Sequence, residues 1–169
     1  MKKEIYRKYI ISDIDQILSI YNFHIENSFG NFEENTYLLD DFKKYLKIIL
    51  DNQLPFIVCE VDESIVGFSF LTPFRNRSGY RFTFENSIYV KKDFMSKGIG
   101  YKLLKLLINE SKKNKSIKNI IAIIGDKENK SSIKIHEKNG FILIGTIKNA
   151  GYKCGKWLDS IYMQKIINE

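Results

Sequence analysis

Apolar positions along this chain recur with two periods, two and three-to-four, and the two alternate from end to end. Ile5 to Ile11 reads as a first strand. Ser12, with Asp15 after it, has the form of a helix N-cap with an acidic capping-box partner, and Ile14, Ile17, Leu18 and Tyr21 then line one face of a helix ending near Asn27. Ser28 to Tyr37 is a loop containing Gly30 and two aromatics, Phe29 and Phe32. Asp41 to Asp51 forms a second helix with Phe42, Tyr45, Leu46, Ile49 and Leu50 as its apolar face. Pro55 to Val61 and Ile65 to Leu71 read as a hairpin turned at Asp62-Glu63-Ser64. Pro73 to Tyr80 is a loop, and Arg81 to Val90 is the central strand. Leu103, Leu104, Leu106 and Leu107 give a helix reaching about Lys113. Ile120 to Ile124 is apolar throughout, which predicts burial on both faces. After a turn over Gly125 to Lys130, Asn129 or Ser131 caps a helix to Lys138, closed by Asn139-Gly140. Phe141 to Ile147 is a strand, Lys148 to Gly155 a loop, and Trp157 to Ile166 the last strand. The order is mixed α/β, one main sheet with helices packed on it.

Composition narrows this without changing it. At 169 residues, 44% apolar and 14% aromatic, a single domain over residues 1–169 with a real core is expected. No apolar run approaches a membrane span, and Met1-Lys2-Lys3-Glu4 leads straight into a strand pattern, so a cytoplasmic protein is expected. Two cysteines, Cys59 and Cys154, suggest neither a disulfide framework nor a metal site. The net charge of +7 comes from lysines scattered over many faces, without the arm or stripe of a nucleic-acid binder. Lysines over 112–118 and 127–138 would help attract an anionic cofactor.

Candidate chemistry begins where the central strand meets the third helix. Glu85 to Val90 runs through Lys91–Lys97 into Gly98-Ile99-Gly100-Tyr101, so a strand enters a glycine-bearing loop that opens a helix. A helix N-terminus leaves N–H groups unpaired with a partial positive charge, and glycine lets a phosphate come close. Lys97 adds a formal charge there. No Gly-Lys-Ser/Thr closes the loop and a third glycine is missing, so neither a P-loop nor a dinucleotide fingerprint is present. Glu85 lies within an otherwise apolar strand, either as a general base with a pKa raised by burial or as a solvent-facing residue on the face shared with Ser87 and Tyr89. Arg75 and Arg77, on the preceding loop, form either an anion clamp or an ordinary solvated loop.

Two motifs carry a family resemblance. Met95-Ser96-Lys97-Gly98-Ile99-Gly100 resembles motif A of the GNAT superfamily of acetyl-CoA-dependent acyltransferases, with Met95 where the family usually has Arg or Gln. Asn129, Ser132, His136, Gly140 and Phe141 match the family's motif B. Within the superfamily, Asn31-Phe32-Glu33-Glu34, the run from Arg75 to Val90, His136-Glu137-Lys138 and Lys156-Trp157-Leu158-Asp159 resemble the phosphinothricin, methionine sulfoximine and methionine sulfone acetyltransferases.

That resemblance implies the GNAT fold: a mostly antiparallel twisted sheet, splayed at its middle strands, with helices on both faces. It implies direct transfer of acetyl from acetyl-CoA to the α-amine of a small amino acid or analogue. Glu85 would act as the base, and His136 would protonate the leaving thiolate. Ile88, Tyr89 and Val90 would hold the cofactor's arm, Ser96, Lys97, Gly98, Ile99, Gly100 and Tyr101 its pyrophosphate, and Asn129 and Ser132 further cofactor contacts. Arg75, Arg77, Ser78, Gly79 and Tyr80 would bind the acceptor, and Phe32 and Glu33 would close the site, within a homodimer. The partner is a small amine, without nucleic acid or membrane. Other acceptors (a protein N-terminus, a polyamine, an aminoglycoside) and a non-catalytic CoA-binding module are the competing readings.

Overall fold

A computed structural model describes residues 3–126 and 129–168; the basic run over 127–138 falls partly outside them. The elements are β1 (Ile5–Lys8), α1 (Ile14–Asn27), α2 (Leu39–Asp51), β2 (Phe56–Val61), β3 (Ser64–Pro73), β4 (Thr83–Val90), α3 (Ile99–Lys112), β5 (Asn119–Gly125), α4 (Lys130–Lys138), β6 (Ile142–Lys153) and β7 (Lys156–Ile166). The strands form one sheet in the order β1-β2-β3-β4-β5-β7-β6. Every pairing is antiparallel except β4 with β5.

That exception makes the site. The β4–β5 ladder consists of Thr83↔Asn119, Phe84↔Ile120 and Glu85↔Ile121, yet β4 continues to Val90 and β5 to Gly125. Beyond Glu85 the strands part, and among the described residues the β5-facing edge of β4 has no strand partner. Helices cover both faces. Tyr21 of α1 and Tyr45 of α2 pack on the face of Phe70 and Tyr89. On the other face, Ser69 Oγ donates to the Leu103 carbonyl of α3, and Asn86 meets His136 of α4. Phe42, Leu46 and Ile49 on α2, and Leu103, Leu104 and Leu107 on α3, are the fully buried positions of the apolar stripes.

Several expectations are corrected. Ser12 is exposed and does not cap α1. Asp13 is buried instead, accepting from the Ile10 N–H at 2.9 Å and from two Arg7 nitrogens at 2.7 and 2.8 Å, and this ends β1 at Lys8. Leu50 is exposed rather than part of the stripe of α2. On β5, Ile121 and Ile123 are only half-buried, because their face borders the opening between the strands. The expected loop over Lys148–Gly155 is largely strand: β6 pairs with β7 through Gly151↔Leu158, Tyr152↔Trp157 and Lys153↔Lys156. The turn residues there belong to a bulge between Ile147 and Gly151, where Asn149 has φ 51° and its N–H donates to the Asp159 carboxylate at 3.0 Å.

Candidate active site

The parting of β4 and β5 opens a cleft of about 1510 Å³, floored by the strand ends and walled by α1, α3, α4 and the loop between α1 and α2. Side chains alternate along β4, so the cleft has two chemically distinct sides. Glu85, Ser87 and Tyr89 face α1 and α2. Asn86, Ile88 and Val90 face α3 and α4, since a Cβ added at Gly100 would meet Ile135 at 3.3 Å, Val90 at 3.8 Å and Ile88 at 3.9 Å.

On the first side, Glu85 lines the cleft beside Thr72, its cross-strand neighbour, in a region shared with Tyr21 and Tyr45. Burial pushes its carboxyl up to about 7, with the Arg75 guanidinium pulling the other way. Arg75, Arg77, Ser78, Gly79 and Tyr80 are exposed. Arg75, Arg77 and Tyr80 border a separate concavity of about 720 Å³ with Phe74 and Asn76, near Glu85 but outside the lining of the main cleft. The Arg75 guanidinium lies 5.2 Å from the Phe74 ring centre. Phe32 and Glu33 line the main cleft within this same chain.

The second side holds a buried polar chain. His136 is 3% exposed; its Nδ1 lies 2.8 Å from the Ser132 carbonyl and its Nε2 3.0 Å from Asn86 Nδ2. A carbonyl only accepts, so Nδ1 carries the proton and Nε2 takes the Asn86 N–H on its lone pair. Burial pushes the ring's pKa down to about 4, so it is neutral at pH 7. Both ring nitrogens are therefore engaged. Asn86 is 7% exposed and borders the cleft, and its Oδ1 has no hydrogen-bond partner among the described residues.

At the mouth, Gly98 caps α3 with φ 84°, and a Cβ there would meet nothing within 4 Å, so the first-turn N–H groups have an open front. Met95, Ser96, Gly98, Gly100 and Tyr101 border the cleft. Lys97 and Ile99 do not: the Lys97 amine lies over the Phe94 ring at 5.0 Å, and Ile99 is in the core. Asn129 caps α4, its side chain accepting from the Ser132 N–H at 3.3 Å, and both residues border the cleft. Along β4, Lys91 N–H donates to Val66 of β3, so by alternation Tyr89 also turns its N–H to β3 while Ile88 and Val90 turn theirs to the opening. The Val90 carbonyl accepts from His24 Nε2 at 2.9 Å.

The chain matches the acetyltransferase (GNAT) domain over residues 8–162, and it belongs to the GNAT acetyltransferase family. Among its relatives, phosphinothricin N-acetyltransferase from Alcaligenes faecalis is 34% identical over 156 residues, 92% of this chain and 79% of that one. L-methionine sulfoximine/L-methionine sulfone acetyltransferase from Salmonella typhimurium is 28% identical over 94% of this chain and 91% of its own. The crystal structure of a GNAT superfamily phosphinothricin acetyltransferase from Sinorhizobium meliloti in complex with AcCoA superposes with a TM-score of 0.93 at 31% identity, covering 98% of this chain and 89% of that one.

His24, Asn31 and Asn86 also line the cleft, although sequence reasoning gave them no role. Asn86 had a usable signal, as a polar residue beside Glu85 on the opposite face of an apolar strand. The others are recognisable only through partners far along the chain.

Proposed function

We propose that this acetyltransferase moves an acetyl group from acetyl-CoA to the α-amine of a small amino acid or analogue of the phosphinothricin and methionine sulfoximine type, acting in the cytoplasm. The carrying observation is Glu85, a half-buried carboxyl whose desolvation pushes it to about 7, placed where the two strands part. A base with that pKa takes a proton from an ammonium near neutral pH. Among the described residues no helix is long and apolar enough to cross a membrane.

The residues present fit the cofactor. The unpartnered β4 edge offers N–H groups at Ile88 and Val90 to an amide-bearing arm, Asn86 Oδ1 is an orphaned buried acceptor beside that edge, and the open front of Gly98 suits a phosphate at the start of α3. Ser96, Gly100, Tyr101, Asn129 and Ser132 complete this side. When bound, acetyl-CoA supplies a thioester carbonyl open to attack by an amine. Glu85 takes the acceptor's ammonium proton and frees its lone pair. Phe32 and Glu33 wall the acceptor side, and Arg75 and Arg77 meet the acceptor's anionic group as it enters. Ser78 to Tyr80 form the short turn that carries this loop.

His136 takes a different role here from the thiolate acid that the resemblance implies. With Nδ1–H given to Ser132 and Nε2 taking the Asn86 N–H, it orients the Asn86 amide so that Oδ1 is the atom left for a ligand. The expected result is an imidazole whose nitrogen-15 resonances do not titrate between about pH 5.5 and 8. A ring that gains a proton near pH 6.5 would restore the acid role.

A homodimer is supported by β6, an edge strand on which Ile142, Leu143 and Ile144 are 63%, 62% and 56% exposed. The test of the reaction is thiol release from acetyl-CoA with phosphinothricin, methionine sulfoximine, methionine sulfone, spermidine and an alanine-terminated peptide. Preferential turnover of the amino-acid analogues is expected. Turnover of only the polyamine or the peptide would overturn the acceptor assignment and keep the enzyme class.

A further inference from the structure

Lys153 is a lysine buried to 2% exposure whose ammonium donates to two main-chain carbonyls, Ser28 at 3.0 Å and Asn31 at 2.6 Å. Burying an ammonium is costly unless its donors are satisfied. This one is satisfied by the loop between α1 and α2, which lines the cleft from Ser28 through Glu33. Burial weakens its hold on the proton, while Cys154, Glu34 and Glu33 act in the opposite direction.

The same loop is fitted to the sheet on its other side. A Cβ at Gly151, on the β6 bulge, would lie 2.3 Å from Phe32 Cε1, and one at Gly125 would lie 2.2 Å from the Phe29 carbonyl oxygen. Phe32 therefore sits in a slot that two glycines leave open, and Lys153 reaches the loop from the same hairpin as Gly151. Asn31 is the junction. Its carbonyl accepts from Lys153, its Nδ2 donates to the Tyr89 hydroxyl at 3.2 Å, and its Oδ1 accepts from the Glu33 N–H at 2.8 Å. A continuous path of hydrogen bonds runs from the ammonium to β4, on the face that carries Glu85.

We infer that Lys153 is a positioning residue for the amino-acid acceptor: it pins the Ser28–Asn31 segment so that Phe32 and Glu33 form the acceptor-side wall of the cleft. This rests on the proposed function for assigning that side of the cleft to the acceptor. Lys153 touches neither substrate. Its effect falls chiefly on acceptor affinity: α3 builds most of the cofactor side, which the pinned loop meets at Gly30, where an added Cβ would lie 3.2 Å from Asn129 Nδ2.

Lys153→Met keeps the apolar stem and removes the donors. The expected result is an acceptor KM raised about tenfold, with kcat and the acetyl-CoA KM within about twofold of wild type. Amide hydrogen exchange over 28–36 should accelerate in the free protein while β5 stays protected. Phe32→Ala should raise the acceptor KM by a similar factor, and the double variant should do little worse than either single one, because both act through the same wall. Lys153→Gln, which keeps a donor, should lie between Met and wild type, and it carries the test if the Met variant does not fold. Unchanged exchange over 28–36, equal losses for both substrates, or multiplying effects in the double variant would overturn the inference. Exchange needs no turnover. A wild-type protein inactive on every amino-acid analogue, with loop exchange responding as described, would overturn the acceptor assignment and leave the clamp standing.

Discussion

Glu85→Gln lowers kcat by roughly 10²–10⁴ and removes the acid limb of the pH–rate profile. The amide matches the carboxyl in size and keeps the wall of the cleft, but it cannot accept the ammonium proton. In the wild-type enzyme kcat/KM rises with pH through an inflection near 7, where burial has pushed the Glu85 carboxyl. Below that inflection the base already holds a proton. The Arg75 charge pulls the other way, so Arg75→Met moves the inflection to higher pH. The linkage to stability has a definite sign. A carboxyl whose folded pKa is raised contributes stability in its protonated form, and that contribution is lost as pH rises through about 7. The Gln variant therefore melts higher than wild type at pH 8 and close to it near pH 4, even though it is nearly inactive. Turnover near the wild-type level across pH 6 to 9 would sink the general-base role.

What the sequence made legible was local. The hairpin of β2 and β3, the stripe of α3 and the glycine entry to that helix depend on neighbours a few residues apart, and their spacing announces them. Asn129 as the cap of α4 is of the same kind. Misreadings arose where a distant partner overrides a local pattern. The stretch from Lys148 to Gly155 has turn composition, but the pairing of β6 with β7 absorbs it as a bulge. Ser12 has the form of a cap, but Arg7 and Asp13 decide that corner together with Glu60 on the neighbouring strand. In the site, Glu85 was a candidate because a carboxylate in an apolar strand is conspicuous. The loss of a free nitrogen on His136 was not legible, because it requires Asn86 to be placed against α4 by the fold. Lys153 was hidden for the same reason: its partners lie near the other end of the chain, and in sequence it is one more lysine among many.

Gly125→Ala raises the acceptor KM by tenfold or more and lowers Tm by several degrees, although it adds only one methyl group. The position is the last residue of β5, and its neighbours leave no room. The new Cβ would stand 2.2 Å from the Phe29 carbonyl oxygen and 3.2 Å from the Phe32 ring. Main-chain atoms cannot rotate aside as the end of a lysine can, so the segment carrying Phe29 must retreat by roughly 1 Å in an interior packed to crystal-like density. Overpacking of this sort costs about 1–3 kcal/mol, which in a chain of this size is a Tm loss of about 2–12 °C. The retreat also strains both Lys153 hydrogen bonds, since Ser28 and Asn31 flank the displaced carbonyl. Gly100 is the control. There the nearest atom to an added Cβ is the flexible Ile135 Cδ1 at 3.3 Å, on the opposite side of the cleft, so Gly100→Ala leaves the acceptor KM near wild type and acts, if anywhere, on acetyl-CoA. An unchanged acceptor KM in Gly125→Ala would mean that the Phe29–Glu33 segment does not shape the acceptor's binding site.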